Sequence, residues 1–194
     1  MKATSTRRTL PGQIVLVLQG GGALGAYQAG VYEAMHESGI EPDWVIGTSI
    51  GAINAALIAG NPAAQRWERL RAFWNLAEHQ VPPTGPLAWL GMNGLLATMN
   101  TVMCGIPAFF VPNPAALCGV HASVGVEAAS YYSTAPLRDT LSSLVDFDHL
   151  AQGSTRLTVG AVNARSGEMR YFDSRNETLS ADHVMASRVS RRSH

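Results

Sequence analysis

The sequence predicts an α/β protein in which short aliphatic strands pass through glycine-bearing turns directly into helices. Two such units stand close together. The run Ile14-Val15-Leu16-Val17-Leu18 leads into Gly20-Gly21-Gly22, and Trp44-Val45-Ile46 leads into Gly47-Thr48-Ser49-Ile50-Gly51. Helical spacing takes over after each turn, the order expected of a mainly parallel sheet with crossover helices.

The first run is β-branched and aliphatic throughout, which predicts a strand covered on both faces. Tyr27, Val31, Ala34 and Met35 follow at helical spacing as the apolar face of a first helix, and Gly39 stops it. The small residues from Ala52 to Ala59 predict a closely packed second helix. Asn61-Pro62 supplies a cap and first-turn proline for a third, with Trp67, Leu70, Trp74 and Ala77 as its stripe. Pro136 opens another helix, with Leu137, Leu141, Leu144 and Val145 on one face. Leu157 to Val162 is a strand that Ser166-Gly167 turns back into Met169-Arg170-Tyr171-Phe172. Ser180 caps a last helix from Asp182 to Ala186.

At 194 residues the chain suits one domain with a buried core. Hydrophobic residues make up 46% and charged residues 14%, which excludes disorder by composition and points to apolar surface meeting a lipid or a partner. Lys plus Arg and Asp plus Glu are 14 each, so no broad field favours nucleic acid as a partner. Cys104 and Cys118 match no metal-ligand spacing and read as reduced thiols. Residues 1–12 read as a flexible lead-in without an apolar signal core, so a cytoplasmic location is expected. Residues 79 to 126 contain no Asp, Glu, Lys or Arg. Their prolines, glycines and asparagines break any membrane-spanning run, which leaves either a lid facing substrate or loops and short helices packed on the core. The lid reading carries a peripheral membrane contact with it.

The chemistry concentrates at Ser49. Gly47-Thr48-Ser49-Ile50-Gly51 is a G-x-S-x-G sequence between strand and helix, the context that gives the motif meaning. Such a turn lifts the serine clear of the sheet, its glycines let strand and helix approach, and the helix N-terminus favours negative charge there. A plain helix-capping serine is the alternative. Gly20-Gly21-Gly22-Ala23-Leu24-Gly25 starts a helix with backbone N–H groups available to an anion, as an oxyanion loop requires. The same six residues fit a dinucleotide-binding G-x-G-x-x-G. That reading needs an acidic residue at the end of the second strand, yet Asp43 precedes the strand and Gly-Thr-Ser ends it. Asp173 with His183, or Asp148 with His149, could complete a serine triad in the usual chain order. His36, His79, His121, His149, His183 and His194 otherwise read as surface or packing residues.

The pairing of Gly-Gly-Gly-x-x-Gly with Gly-Thr-Ser-x-Gly resembles the patatin-like phospholipases. So do Tyr131 to Leu137, Leu144 to Asp148, the strands through Ala161-Val162 and Tyr171-Phe172, and Asp182 to Ser187, so the resemblance spans residues 13–187. It implies a three-layer α/β/α fold, no cofactor, and hydrolysis of lipid acyl esters by a Ser–Asp dyad. Ser49 would be the nucleophile, Gly20, Gly21, Gly22 and Gly25 the oxyanion loop, and Gly47, Thr48, Ile50 and Gly51 the elbow. The family's Asp lies in an Asp-Gly dipeptide after the region matching Ser187. No Asp-Gly occurs here, and the six aspartates match other parts of the pattern. The basic ending from Arg188 to His194 is what a reading-frame shift or a truncation would leave. The expectation is a C-terminally truncated fold with an uncovered sheet edge, weak stability and impaired turnover. A non-catalytic lipid-binding protein is the remaining alternative.

Overall fold

The computed structural model describes residues 11–22, 24–79, 111–112, 132–133, 135–163 and 166–187. The tail 188–194, the lead-in before residue 11, both cysteines, His121 and nearly all of the uncharged segment lie outside the described residues. In chain order the elements are β1 (Val15–Leu18), α1 (Leu24–Glu37), β2 (Trp44–Thr48), α2 (Ile50–Ala59), α3 (Ala63–His79), β3 (Val111–Pro112) and β4 (Tyr132–Ser133). Then follow α4 (Ala135–Leu144), α5 (Phe147–Ala151), β5 (Arg156–Val162), β6 (Met169–Asp173) and α6 (Ala181–Ala186).

Four strands form the central sheet in the order β1-β2-β5-β6. The first three are parallel, and β6 returns antiparallel through the predicted hairpin. Helices flank this mixed, mostly parallel sheet. Register is set by one row running Val17, Ile46, Thr158 and Asp173, and another running through Thr48, Gly160 and Tyr171. Parallel neighbours of this kind need crossover connections, which place helices against the sheet face. In the core α2 is buried along its whole length, with Leu18, Val45, Leu157 and Val159 of the sheet, because its small Ala side chains and the bare backbone of Gly51 allow close approach. Around it pack Leu70 and Phe73 of α3, Leu137 and Leu141 of α4, and Val184 of α6.

Two expectations are corrected here. β1 is not covered on both faces: Val17 is 67% exposed and Val15 is exposed too, and among the described residues β1 pairs with β2 alone. The buried stripe of α1 is Gly25, Gln28, Ala29 and Tyr32, while Tyr27 is 76% exposed and Val31 is exposed too. Hydrophobicity misplaced that face because close packing against Ile50 and Trp74 selects a small residue at position 25, and because Gln28 is buried through hydrogen bonds.

A polar network closes the end of the sheet where the parallel strands begin. Buried Arg66 donates to Glu41 (2.7 Å), Thr155 Oγ1 (2.6 Å) and the Asn61 carbonyl (3.0 Å). Tyr32 donates its hydroxyl to Glu41 at 2.8 Å, and His36 Nδ1 lies 2.6 Å from the same carboxylate. Burial, reinforced by the Glu41 charge, pushes the Tyr32 phenol far above its ordinary pKa. The motif residues all lie at the other end.

Candidate active site

β2 runs out at Thr48, and Ser49 makes the turn into α2 with φ 56° and ψ −124°. Among the described residues it is the only non-glycine with positive φ. Holding a serine there costs about 1–3 kcal/mol, so the surroundings must impose it. They do so through two glycines and three hydrogen bonds. A Cβ on Gly47 would lie 2.3 Å from the Gly51 carbonyl oxygen, and one on Gly51 would lie 2.2 Å from that of Leu18. Nothing larger fits where strand and helix cross. The Ser49 carbonyl accepts from Ala52 N–H (2.9 Å) and Ile53 N–H (3.3 Å). Its own N–H donates to Ser187 Oγ at 2.7 Å.

The glycine loop lies directly beside this turn. A Cβ on Gly20 would stand 3.2 Å from Ser49 Cβ and 4.0 Å from Ser49 Oγ, so bare backbone flanks the hydroxyl. Gly21 and Gly22 have φ of 136° and 54°, conformations that favour glycine. Their carbonyls accept from Leu24 N–H (3.2 Å) and Gly25 N–H (3.0 Å), and across the trans peptide the Gly22 N–H points opposite to the Gly21 carbonyl. Among the described residues, no group accepts a hydrogen bond from the N–H of Gly21 or Gly22. Gly25 sits one turn deeper, where a Cβ would meet Ile50 at 2.5 Å and Trp74 at 2.7 Å.

A buried relay fixes loop and turn together. Asn54 Nδ2 donates to the Gly25 carbonyl (2.9 Å) and to Gln28 Oε1 (3.1 Å). Trp74 Nε1 donates to Asn54 Oδ1 at 3.1 Å, and Gln28 Nε2 to the Gln19 carbonyl at 2.8 Å. Sequence reading missed Asn54, Gln28 and Ser187. A lone asparagine inside an otherwise apolar buried helix was the signal available for the first.

The pairs offered as triad partners lie elsewhere. Asp173 faces Thr158 in register, three residues short of Ser49 along the strands and thus on the order of 10 Å away. Burial alone would raise its pKa. Hydrogen bonds from Arg156, Thr158 and Arg175 N–H, with the Arg156 charge, outweigh burial and hold the carboxyl below the usual range. His183 turns Nδ1 back to Ser180 N–H at 3.1 Å. Asp146, just ahead of Asp148 and His149, donates its N–H to the Gly60 carbonyl at the far end of α2, roughly 15 Å from Ser49. Asp43 accepts from Ile14 N–H where the strands begin, Asp182 pairs with Arg138 at the surface, and Asp139 lies exposed on α4. Among the described residues, no Asp or His is hydrogen-bonded to Ser49, and no three His, Cys, Asp or Glu side chains converge as metal ligands.

Fold and site define an α/β protein with a serine on a strained strand-to-helix turn beside a glycine loop. The sequence model of the patatin-like phospholipases matches residues 16–189, and the chain belongs to that family. It is 53% identical over 53 residues to the lysophospholipase nte1 of Aspergillus terreus, covering 27% of this chain and 4% of that protein. It is 44% identical over 68 residues to the human patatin-like phospholipase domain-containing protein 6, covering 34% of this chain and 5% of that one. The chain thus spans a small fraction of the length of these relatives. Among solved structures, VipD from Legionella pneumophila aligns with 92% of this chain and 42% of its own, at 16% identity and a TM-score of 0.39.

Proposed function

We propose that this chain carries the nucleophile half of a lipid acyl-ester hydrolase acting at a lipid surface. The observation that supports it most is the backbone of Ser49. A serine that serves only as a helix cap has no need of φ 56°, whereas a nucleophile must be held clear of the strand with its oxygen exposed to an acyl carbonyl. In this reading Ser49 Oγ attacks the carbonyl carbon. The amides of Gly21 and Gly22 and the first free N–H of α2, at Ile50, receive the oxyanion. Gly20 keeps the approach open and Gly25 seats the loop against α2. Gly47, Thr48, Ile50 and Gly51 form the elbow.

The placement of all six aspartates away from Ser49 supports a slow reaction, carried by oxyanion stabilisation and binding rather than by a general base. The same observation favours a second reading, a lipid-binding protein without turnover. The dinucleotide reading finds no support: β2 ends at Gly47-Thr48, with no carboxylate to meet a ribose.

Incubating the purified chain with a fluorophosphonate tests the first reading. The serine oxygen displaces fluoride from phosphorus, HF departs, and the adduct is mapped by mass spectrometry. A slow adduct on Ser49, absent in Ser49→Ala, is expected. Liposome binding with no adduct at Ser49 would establish the lipid-binding reading instead.

A further inference from the structure

We infer that Ser187 is a positioning residue that holds the Ser49 turn in its reactive geometry; this rests on Ser49 being the nucleophile. Ser187 follows the last residue of α6 and is 5% exposed. Its hydroxyl works in both directions, accepting Ser49 N–H at 2.7 Å and donating to the Gly160 carbonyl. One oxygen therefore ties the turn to β5 and to the end of α6.

The reason lies in how β2 stops. The ladder between β2 and β5 pairs Thr48 with Gly160 and goes no further. At Ser49 the chain enters the positive-φ region, so its amide leaves the ladder just where β2 ends against β5. Buried amides need a partner, and a small hydroxyl reaches this one without displacing backbone. Gly160 has little room beside it, since a Cβ there would lie 2.9 Å from Thr48 Oγ1. Thr48, Ser49, Gly160 and Ser187 are thus locked in one small volume. Loss of the hydroxyl frees the Ser49 amide and lets the turn relax toward ordinary φ, which moves Oγ relative to the glycine loop.

The test compares wild type, Ser187→Ala, Ser187→Cys and Ser187→Thr by fluorophosphonate labelling, with hydrogen exchange of the Ser49 amide followed by NMR. Ser187→Ala is expected to lower the maximal labelling rate roughly 10–100-fold, as a displacement near 1 Å does, while half-saturation stays within about threefold. Ser49 amide protection is expected to fall about tenfold, and Ser187→Thr, which keeps the hydroxyl, to recover most of both. If Ser187→Ala fails to fold, the isosteric Ser187→Cys, a poor acceptor, gives the same comparison. Labelling and exchange at wild-type levels in the hydroxyl-free variants would overturn the inference. A wild type that never labels at Ser49 would refute the nucleophile reading alone, and the exchange data would still decide whether Ser187 holds the turn.

Discussion

Gly47→Ala perturbs the site through backbone alone. The new methyl would lie 2.3 Å from the Gly51 oxygen, 2.5 Å from the Gly51 carbonyl carbon and 2.6 Å from Ala52 Cα, all in the first turn of α2. No side chain can swing aside. Restoring ordinary contact at about 3.4 Å requires β2 and α2 to part by about 1 Å. Overpacking of this kind costs about 1–3 kcal/mol, and rigid backbone on both sides places this case near ~3. With a urea slope of about 2 kcal/mol per molar, the unfolding midpoint falls by roughly 1.5 M. The same displacement moves Ser49 against the Gly20–Gly22 loop, and labelling is expected to slow on the order of a hundredfold. Urea denaturation followed by circular dichroism, together with labelling kinetics at low urea, measures both. A midpoint within about 0.2 M of wild type and labelling within about threefold would refute the steric reasoning.

Other consequences are equally open to measurement. Arg66→Met leaves buried Glu41 without its guanidinium and is expected to cost about 3–5 kcal/mol in chemical denaturation. Asn54→Leu removes the relay between α1, α2 and Trp74, with an expected loss of ~2 kcal/mol and greater exchange at the Gln28 amide. The lowered pKa of Asp173 gives stability that is fully present above its unfolded value of 3.8 and is lost as pH falls through the lower folded value. Asp173→Asn should therefore flatten the stability–pH curve below about pH 4. Gly25→Ala meets the side chains of Ile50 and Trp74 rather than backbone, so its cost should be smaller than that of Gly47→Ala.

Much of this was legible in the sequence, because strand, turn and helix signals coincide at Gly20–Gly22 and Gly47–Gly51. The order of β1, α1, β2 and α2 and the hairpin of β5 with β6 follow from those local signals. Sidedness was less legible. A continuous aliphatic run such as Ile14–Leu18 reads the same whether one face or both are covered, and only tertiary packing decides. Helix α1 was misread because its buried side is defined by a glycine, an alanine and a hydrogen-bonded glutamine, none of which stands out on a hydrophobic scale. Ser187 could be placed in a family phrase, but its bond to Ser49 spans 138 positions. Asp173 shows the converse: chain order suggested a triad member, and its burial with Arg156 and Thr158 makes it a structural carboxylate.

That 138-residue span also bears on when the site comes into being. The chain emerges from the ribosome at roughly 5–20 residues per second, so on the order of 10 s separates synthesis of the turn from synthesis of the hydroxyl that fixes it. Loop closure over such a distance is slow, and α6 must dock against α2 and β5 before Ser187 reaches its place. The strained turn is thus secured later than the strands and helix that flank it. A nascent chain with β1, β2 and α2 already paired would still lack the Ser187 hydroxyl that accepts the Ser49 amide, so the turn gains its full set of hydrogen bonds only when the core around it has closed.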